Sequence, residues 1–374
     1  MPEETESRQR IVRLTPLDEV LARIHGRVKA VTPRHADLAP ALDRTLADDI
    51  AITQPMPEAA LALRDGWALR SDCTTDASSY APAPITAALR IETGQPLPSD
   101  ADAVALLDTV AMRGGEAQAL SPVAPGEGIL SPGADLAKGA VLLPAGRQLR
   151  PLHVALLALS GVASVAIREP RLRIARARSL PDPMIDAVIE CIEQAVRSGG
   201  GRCVTGEMNT PLSHALTQAD ADAVIVVGGT GCGRNDDAAA TLARIGELEV
   251  HGVALTPGET AGFGMVGGRP VLLLPGRLDA ALAVWHMLGR AVLAQLAANG
   301  EQLCMRTAKL TRKVPSNAGL AELVPVRCEG LVAHPLASGY APISALAQAN
   351  GWLLVPPGSE GYQAESEVMI RPWP

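Results

Sequence analysis

Apolar positions along this chain change their spacing several times, and the changes mark out its elements. Leu17, Val20, Leu21, Ile24 and Val28 recur at three- and four-residue steps, which predicts an amphipathic helix. From Ile52 to Val141 short apolar runs are separated by Gly, Pro, Asp and Ser, the pattern of a small β domain. Pro55 and Pro57 rule out a long helix at its start. The stretch RPLHVALLALSG, residues 150–161, predicts a helix with Pro151 in its first turn and Gly161 beyond its end. In VASVAIREPRLRIARAR a strand, a proline break and a second strand follow.

Over 171–297 the character changes. LRIAR (172–176) and AVIVV (223–227) read as buried strands, and residues 184–200 as an amphipathic helix with a glycine end. A second helix is expected over 211–220. GGRPVLLLPG (267–276) runs from a Gly-Gly hairpin turn into a strand, and 279–297 is a long helix. Strands alternating with helices predict a mostly parallel, doubly wound sheet. The final 70 or so residues return to short strands and turns. Residues 1–14 read as a loose tail, and no solenoid repeat or low-complexity tract is visible.

Composition narrows the function classes. Of 374 residues 47% are hydrophobic but only 2% aromatic, so Ala, Val and Leu must fill the cores. A formal net charge of -7 argues against a broad basic surface for nucleic acid, and any anion site must be local. The cysteines (Cys73, Cys191, Cys203, Cys232, Cys304 and Cys328) form no CxxC pair and none has a His at zinc-like spacing. The expectation is a reduced, cytoplasmic chain. Met1–Arg10 is polar and does not read as a signal peptide, and no apolar run reaches the roughly 18 residues a membrane helix needs.

The candidate chemistry centres on ADAVIVVGGTGCGRNDDAAATLARI, residues 221–245. Gly228, Gly229, Thr230 and Gly231 stand at the carboxyl end of a strand, where open α/β sheets bind ligands. Glycines admit close backbone approach and consecutive N–H groups cradle anions. A helix over 236–244 would add a positive N-terminus. Asp236 and Asp237 would cap that helix or hold a hydrated Mg²⁺ beside a phosphate. A tight turn with a capped helix explains the same residues, so from the loop alone both readings stand. GxxxxGK[ST] is absent, which excludes a P-loop, and GGTGCG lacks GxGxxG spacing, which argues against a Rossmann site.

GGTG followed by an Asp after a strand resembles the pterin-binding loop of molybdenum-cofactor proteins: the molybdopterin adenylyltransferases and the molybdopterin molybdenumtransferases (MoeA, the gephyrin E domain). The rest resembles the molybdenumtransferases. PEAALALRDGWAL is similar to their SAMDGYA segment, with Asp65 and Gly66 kept. ETGQPLPSDADAV is similar to TGA-x-LP-x-GADAV, with Thr93, Gly94, Pro98 and Asp102 kept. SPGADLAKGAVLLPAGRQLRPLHVALLALSGVASVAIREP includes Gly133 and Asp135. LTPGETAGFGMVGGRPVLLLPG resembles the KPGKP and LPGNP loops, and residues 337–370 the C-terminal domain. The likeness covers about residues 15–372.

The resemblance implies an α/β multidomain chain. A helical linking region spans 15–50 and 140–170, a β domain 51–139, a central doubly wound α/β molybdopterin-binding domain 171–297, and a C-terminal β barrel 303–374. It also implies an elongated homodimer with a shared cleft. Its reaction takes adenylylated molybdopterin and molybdate with Mg²⁺, cleaves the adenylate and inserts the metal. A molybdopterin adenylyltransferase or a recipient molybdoenzyme would be its protein partners. By carry-over, Gly228, Gly229, Thr230 and Gly231 cradle the pterin or phosphate, Asp236 positions Mg²⁺ or the adenylate, and Pro275 and Gly276 shape the opposite wall. Asp65, Thr93 and Asp135 approach from the β domain.

Departures fall on charge. KPGKP reads TPGET here, Thr256–Thr260, so both lysines are gone and Glu259 replaces one. At about 4 Å and an effective dielectric near 20, exchanging attraction for repulsion is on the order of several kcal/mol before screening. TGDEL is replaced by RARSLPDPMI, where Asp182 is the nearby acid but not its equivalent, and LPGNP by LPGRL. Arg234 and Arg277 are the candidates to restore positive charge. Cys232, His251 and His286 read first as packing or structural residues, and Arg171, Arg173, Arg176 and Arg178 as solvated strand ends. The expected function is molybdenum insertion in cofactor biosynthesis. The alternatives are a non-catalytic molybdopterin carrier or a scaffold with a decayed site.

Overall fold

The computed structural model describes residues 9–178, 180–204, 210–300 and 305–373, so Cys304 lies outside the described residues. The chain divides into two units. One runs through Asp48, resumes over Ala145–Ala155 and again from Ala163 onward; the other takes Asp49–Pro144 and Leu156–Val162.

The first unit contains the six-stranded sheet. Its strands are β1 (Arg171–Arg176), β2 (Arg202–Val204), β3 (Ala223–Val227), β4 (Glu247–His251), β5 (Gly262–Val266) and β6 (Arg269–Leu274), in the order β2-β1-β3-β6-β5-β4. β2, β1, β3 and β6 are parallel, while β6, β5 and β4 are antiparallel. The predicted turn at Gly267-Gly268, both at positive φ, joins β5 to β6, with Val266 opposite Arg269.

Every residue of β3 is buried, because both sheet faces are covered. Ala223, Ile225 and Val227 join a core with helices α1 (Leu17–Arg27), α2 (Pro183–Ser198) and the last long helix; Val224 and Val226 join Leu212, Leu216 and Leu242 on the other face. Those three leucines belong to α3 (Leu212–Thr217) and α4 (Ala238–Ile245). The long helix is α5 (Leu278–Val284) and α6 (Arg290–Ala297), joined by a π-helical turn over Trp285–Gly289. Gly289 permits that turn, since a Cβ there would stand 2.2 Å from the Trp285 ring. By length and composition Leu278–Ala297 would cross a membrane, but 83% of its most apolar window is buried as a core helix.

Five strands close a barrel: β7 (Arg306–Leu310), β8 (Ala321–Glu329), β9 (Val332–Pro335), β10 (Gly351–Val355) and β11 (Glu367–Pro372). β8 pairs β9, β9 pairs β7, β7 pairs β11, β11 pairs β10 and β10 returns to β8. Inward residues such as Leu310, Val324, Val326, Leu353 and Ile370 fill it.

The second unit is built of short strands. Gly66–Leu69 lies between Leu89–Ile91 and Ala103–Ala105, over a core that includes Leu69, Ile85, Ala103 and Ala105. Gly66 allows the approach, as a Cβ there would meet the Ala105 carbonyl at 2.1 Å.

The strand-end reading holds for the exposed Arg171 and Arg178 and needs correction at Arg173. Arg173 is buried and pairs with Asp220, Arg171 pairs with Asp222 at 3.0 Å, and Arg176 pairs with Asp186. On a strand covered on both faces the carboxylate of Asp220 offsets the cost of taking the Arg173 guanidinium out of water.

Candidate functional site

The glycine loop leaves the carboxyl end of β3 and leads to α4. Gly228 and Gly229 have φ of 85° and 65°. A Cβ on Gly229 would stand 2.7 Å from the Ala177 Cβ, so the position excludes side chains on two grounds. The Gly228 N–H donates to the Leu274 carbonyl at 2.9 Å, and a Cβ on Gly276 would stand 3.5 Å from the Gly228 Cα. The Pro275-Gly276 loop therefore packs directly on the Gly228-Gly229 turn.

The carbonyls of Gly229, Thr230 and Gly231 are all engaged. Gly229 O accepts from the Ala238 N–H at 3.1 Å and from Gln9 Nε2 at 2.9 Å; Gly231 O accepts from Gln9 Nε2 at 2.6 Å; Thr230 O accepts from His251 Nε2 at 2.8 Å. Because a carbonyl only accepts, His251 Nε2 carries the proton. In contrast, the N–H groups of Gly229, Thr230, Gly231 and Cys232 meet no acceptor among the described residues. Such a run of unengaged backbone donors is what an anion cradle requires.

Asp236 lies at the loop but not in the helix, which begins at Ala238 rather than 236. Its Oδ2 accepts from the Gly233 N–H at 3.0 Å, and a Cβ on Gly231 or Gly233 would come within 2.9 Å of that oxygen. Asp237 occupies the N-cap position without a side-chain capping bond. The expected capping by these aspartates is thus replaced: Gln9 Oε1 accepts from the Ala239 N–H at 2.9 Å and the Ala240 N–H at 3.2 Å. The loose-tail reading of residues 1–14 fails from Gln9 onward. Nothing in the sequence pattern signalled Gln9, which sits near the end of the polar run Met1–Arg10 and belongs to no periodic element.

The TPGET loop meets the cradle through a 2.8 Å hydrogen bond between Thr230 and Thr260 hydroxyls. Glu259 does not point its charge freely outward. Its carboxylate accepts from the Gly258 N–H at 3.1 Å and from the Thr256 hydroxyl. Arg277 is drawn to Asp279, 2.7 Å away, and lies 4.3 Å over the Tyr340 ring. Asp279 raises the Arg277 pKa through this hydrogen bond, so the guanidinium charge is already matched. Arg234 and Cys232 are exposed in the loop, which leaves the Cys232 thiol unpacked.

Asp182 has a structural task. Its Oδ1 accepts from the Met184 N–H at 2.9 Å and caps α2, with Pro183 opening the helix. His286 is 5% exposed, packed 5.2 Å from the Trp352 ring and 5.5 Å from Trp373. Burial depresses its pKa to about 3, so it stays neutral.

In the second unit Asp65 and Thr93 are brought together. Asp65 Oδ1 accepts from the Thr93 N–H at 2.8 Å and the Thr93 hydroxyl at 2.9 Å. The backbone bond leads and the hydroxyl follows in holding the Asp65 carboxyl below its ordinary range. Asp135 is exposed on a separate turn, where its N–H donates to the Met56 carbonyl at 3.0 Å.

Three family models match in succession: the MoeA N-terminal region (domain I and II) over residues 15–161, a probable molybdopterin binding domain over 186–295, and the MoeA C-terminal region (domain IV) over 307–373. The chain belongs to the MoeA family. Among its relatives is the molybdopterin molybdenumtransferase of Bacillus subtilis, 25% identical, with 95% of this chain and 93% of that protein aligned. Molybdopterin molybdenumtransferase 1 of Mycobacterium tuberculosis is 27% identical over 92% of this chain and 95% of its own. The crystal structure of the molybdopterin biosynthesis moeA protein from Pyrococcus horikoshii superimposes with a TM-score of 0.82 at 25% identity, covering 96% of this chain and all of that one (100%). The MoeA-like architecture thus includes the α/β domain and the closed five-stranded barrel.

Proposed function

We propose that this MoeA-family protein acts in molybdenum cofactor biosynthesis as a molybdopterin molybdenumtransferase, taking adenylylated molybdopterin and molybdate as substrates. The observation that carries the reading is the run of four N–H groups, Gly229 to Cys232, that meet no acceptor among the described residues, beside Asp236 at the carboxyl end of β3. These donors would bind the pterin or a phosphate oxygen and fix it against the Pro275-Gly276 wall. Within the second unit, Asp65, hydrogen-bonded to Thr93, and Asp135 are the acidic groups that the family resemblance carries over.

The donor set fits Mg²⁺ only in part. Among the described residues no cluster of three metal-ligating side chains occurs. Asp236 has one carboxylate oxygen on Gly233 and the other available. A hydrated Mg²⁺ commonly takes one or two carboxylates and completes its shell with water and phosphate. Bound there, it would neutralise the charge between Asp236 and an approaching phosphate. Loss of the two lysines favours a weaker anion site, but Glu259, folded onto its own loop, supports a site free of the full repulsion expected from sequence. The reading also makes the protein a cytoplasmic homodimer.

A single-turnover assay following AMP release from adenylylated molybdopterin, with molybdate and Mg²⁺, tests it. Release is expected from the wild type and should be lost in Asp236→Ala. A wild type that binds the pterin but releases no AMP, with Glu259→Lys restoring release, would overturn the enzyme and leave a carrier.

A further inference from the structure

One carboxamide makes four hydrogen bonds here. Gln9 is 7% exposed. Its Nε2 donates to the carbonyls of Gly229 and Gly231, and its Oε1 accepts from the N–H groups of Ala239 and Ala240. The opposite amide orientation would set donors against donors and carbonyls against a carbonyl, so this one is required. The residue reaches the loop along a built path. Thr15 N–H donates to Gly252 O at 2.9 Å and Thr15 O accepts from Ala254 N–H at 2.8 Å. A Cβ on Gly252, at φ 102°, would stand 2.6 Å from Ile11 Cγ2 and 2.7 Å from the Arg13 carbonyl. The segment thus lies where only glycine gives it room.

We infer that Gln9 is a positioning residue for the anion cradle. In a trans peptide the C=O and the following N–H point in opposite directions. Drawing the carbonyls of Gly229 and Gly231 toward Gln9 therefore turns the N–H groups of Thr230 and Cys232 to the opposite side of the loop. His251 holds the intervening Thr230 carbonyl. The bonds at Oε1 do a separate job, capping α4 in place of Asp237. The segment before α1 is thereby part of the binding apparatus, although it touches no reacting atom. This assignment rests on the reading of the loop as the molybdopterin site.

The two jobs are separable by Gln9→Glu. A carboxylate still caps α4 but has no donor for the two carbonyls. Anaerobic titration with molybdopterin should show affinity falling about tenfold or more. Hydrogen exchange at Ala239 and Ala240 should stay slow, and KM should rise with kcat little changed. Gln9→Met, uncharged and of similar length, should weaken binding and also speed exchange at those two amides; it decides the matter if Gln9→Glu does not fold. A variant that folds and binds as tightly as wild type would overturn this inference alone. A wild type that does not bind molybdopterin would overturn the loop reading and this inference with it.

Discussion

Gly229→Ala is the smallest change that tests why the loop is built of glycine. Two costs are visible in the structure. At φ 65° an alanine costs about 1–2 kcal/mol relative to ordinary backbone. Its Cβ would then stand 2.7 Å from the Ala177 Cβ, well inside the roughly 3.5–4.0 Å of carbon contacts. Both atoms are fixed to backbone, so no rotamer change relieves the overlap, and overpacking of this kind costs about 1–3 kcal/mol. The sum is about 2–5 kcal/mol. Gly267→Ala is the control, because it sits at φ 56° with nothing within 4 Å and carries the conformational cost alone. The assay is hydrogen exchange at Ala223–Val227, which reads the opening of this sheet, together with molybdopterin titration. Ala177→Gly introduced beside Gly229→Ala should recover about 1–3 kcal/mol through the coupling of the two positions. The reasoning fails if Gly229→Ala costs no more than Gly267→Ala, or if Ala177→Gly recovers nothing.

His286 sets a pH dependence of stability. Its folded pKa of about 3 lies below the ordinary 6.5, so the unfolded chain takes up the proton first as pH falls. Its contribution is unchanged above about pH 6.5 and declines by roughly 1.4 kcal/mol per unit between there and about pH 3. Denaturant melts at pH 7 and pH 5 should differ accordingly, and His286→Phe should remove that part of the slope; an unaltered slope would contradict burial as its source. Asp182→Ala should cost about 1 kcal/mol through loss of the α2 cap while leaving AMP release intact. Loss of release without loss of stability would instead give Asp182 the catalytic task of the missing acid.

Local pattern carried much of this protein. The three- and four-residue spacing of α1 and α2, the all-apolar β3 and the Gly267-Gly268 turn are legible because each is written in adjacent residues: the helices by the period of their buried face, β3 by an unbroken apolar run, and the turn by two glycines that tolerate positive φ. The order of degenerate motifs indicated the family and pointed to Gly228–Gly231, Asp236, Asp65 and Thr93. Periodicity did not reveal that β4 and β5 extend the sheet antiparallel, since their mixed residues read equally as turns. Nor did it show the pairing of Arg173 with Asp220 or of Arg277 with Asp279, or Glu259 folding onto its own loop. Gln9 is the clearest case. It lies 220 residues from Gly229, and its four hydrogen bonds exist only after the sheet and α4 have formed. The sequence by itself determined which segments bury apolar surface, because that depends on neighbours along the chain. Which polar group meets which was decided by the tertiary structure, because a buried donor or acceptor is satisfied by whatever the fold brings within hydrogen-bonding distance.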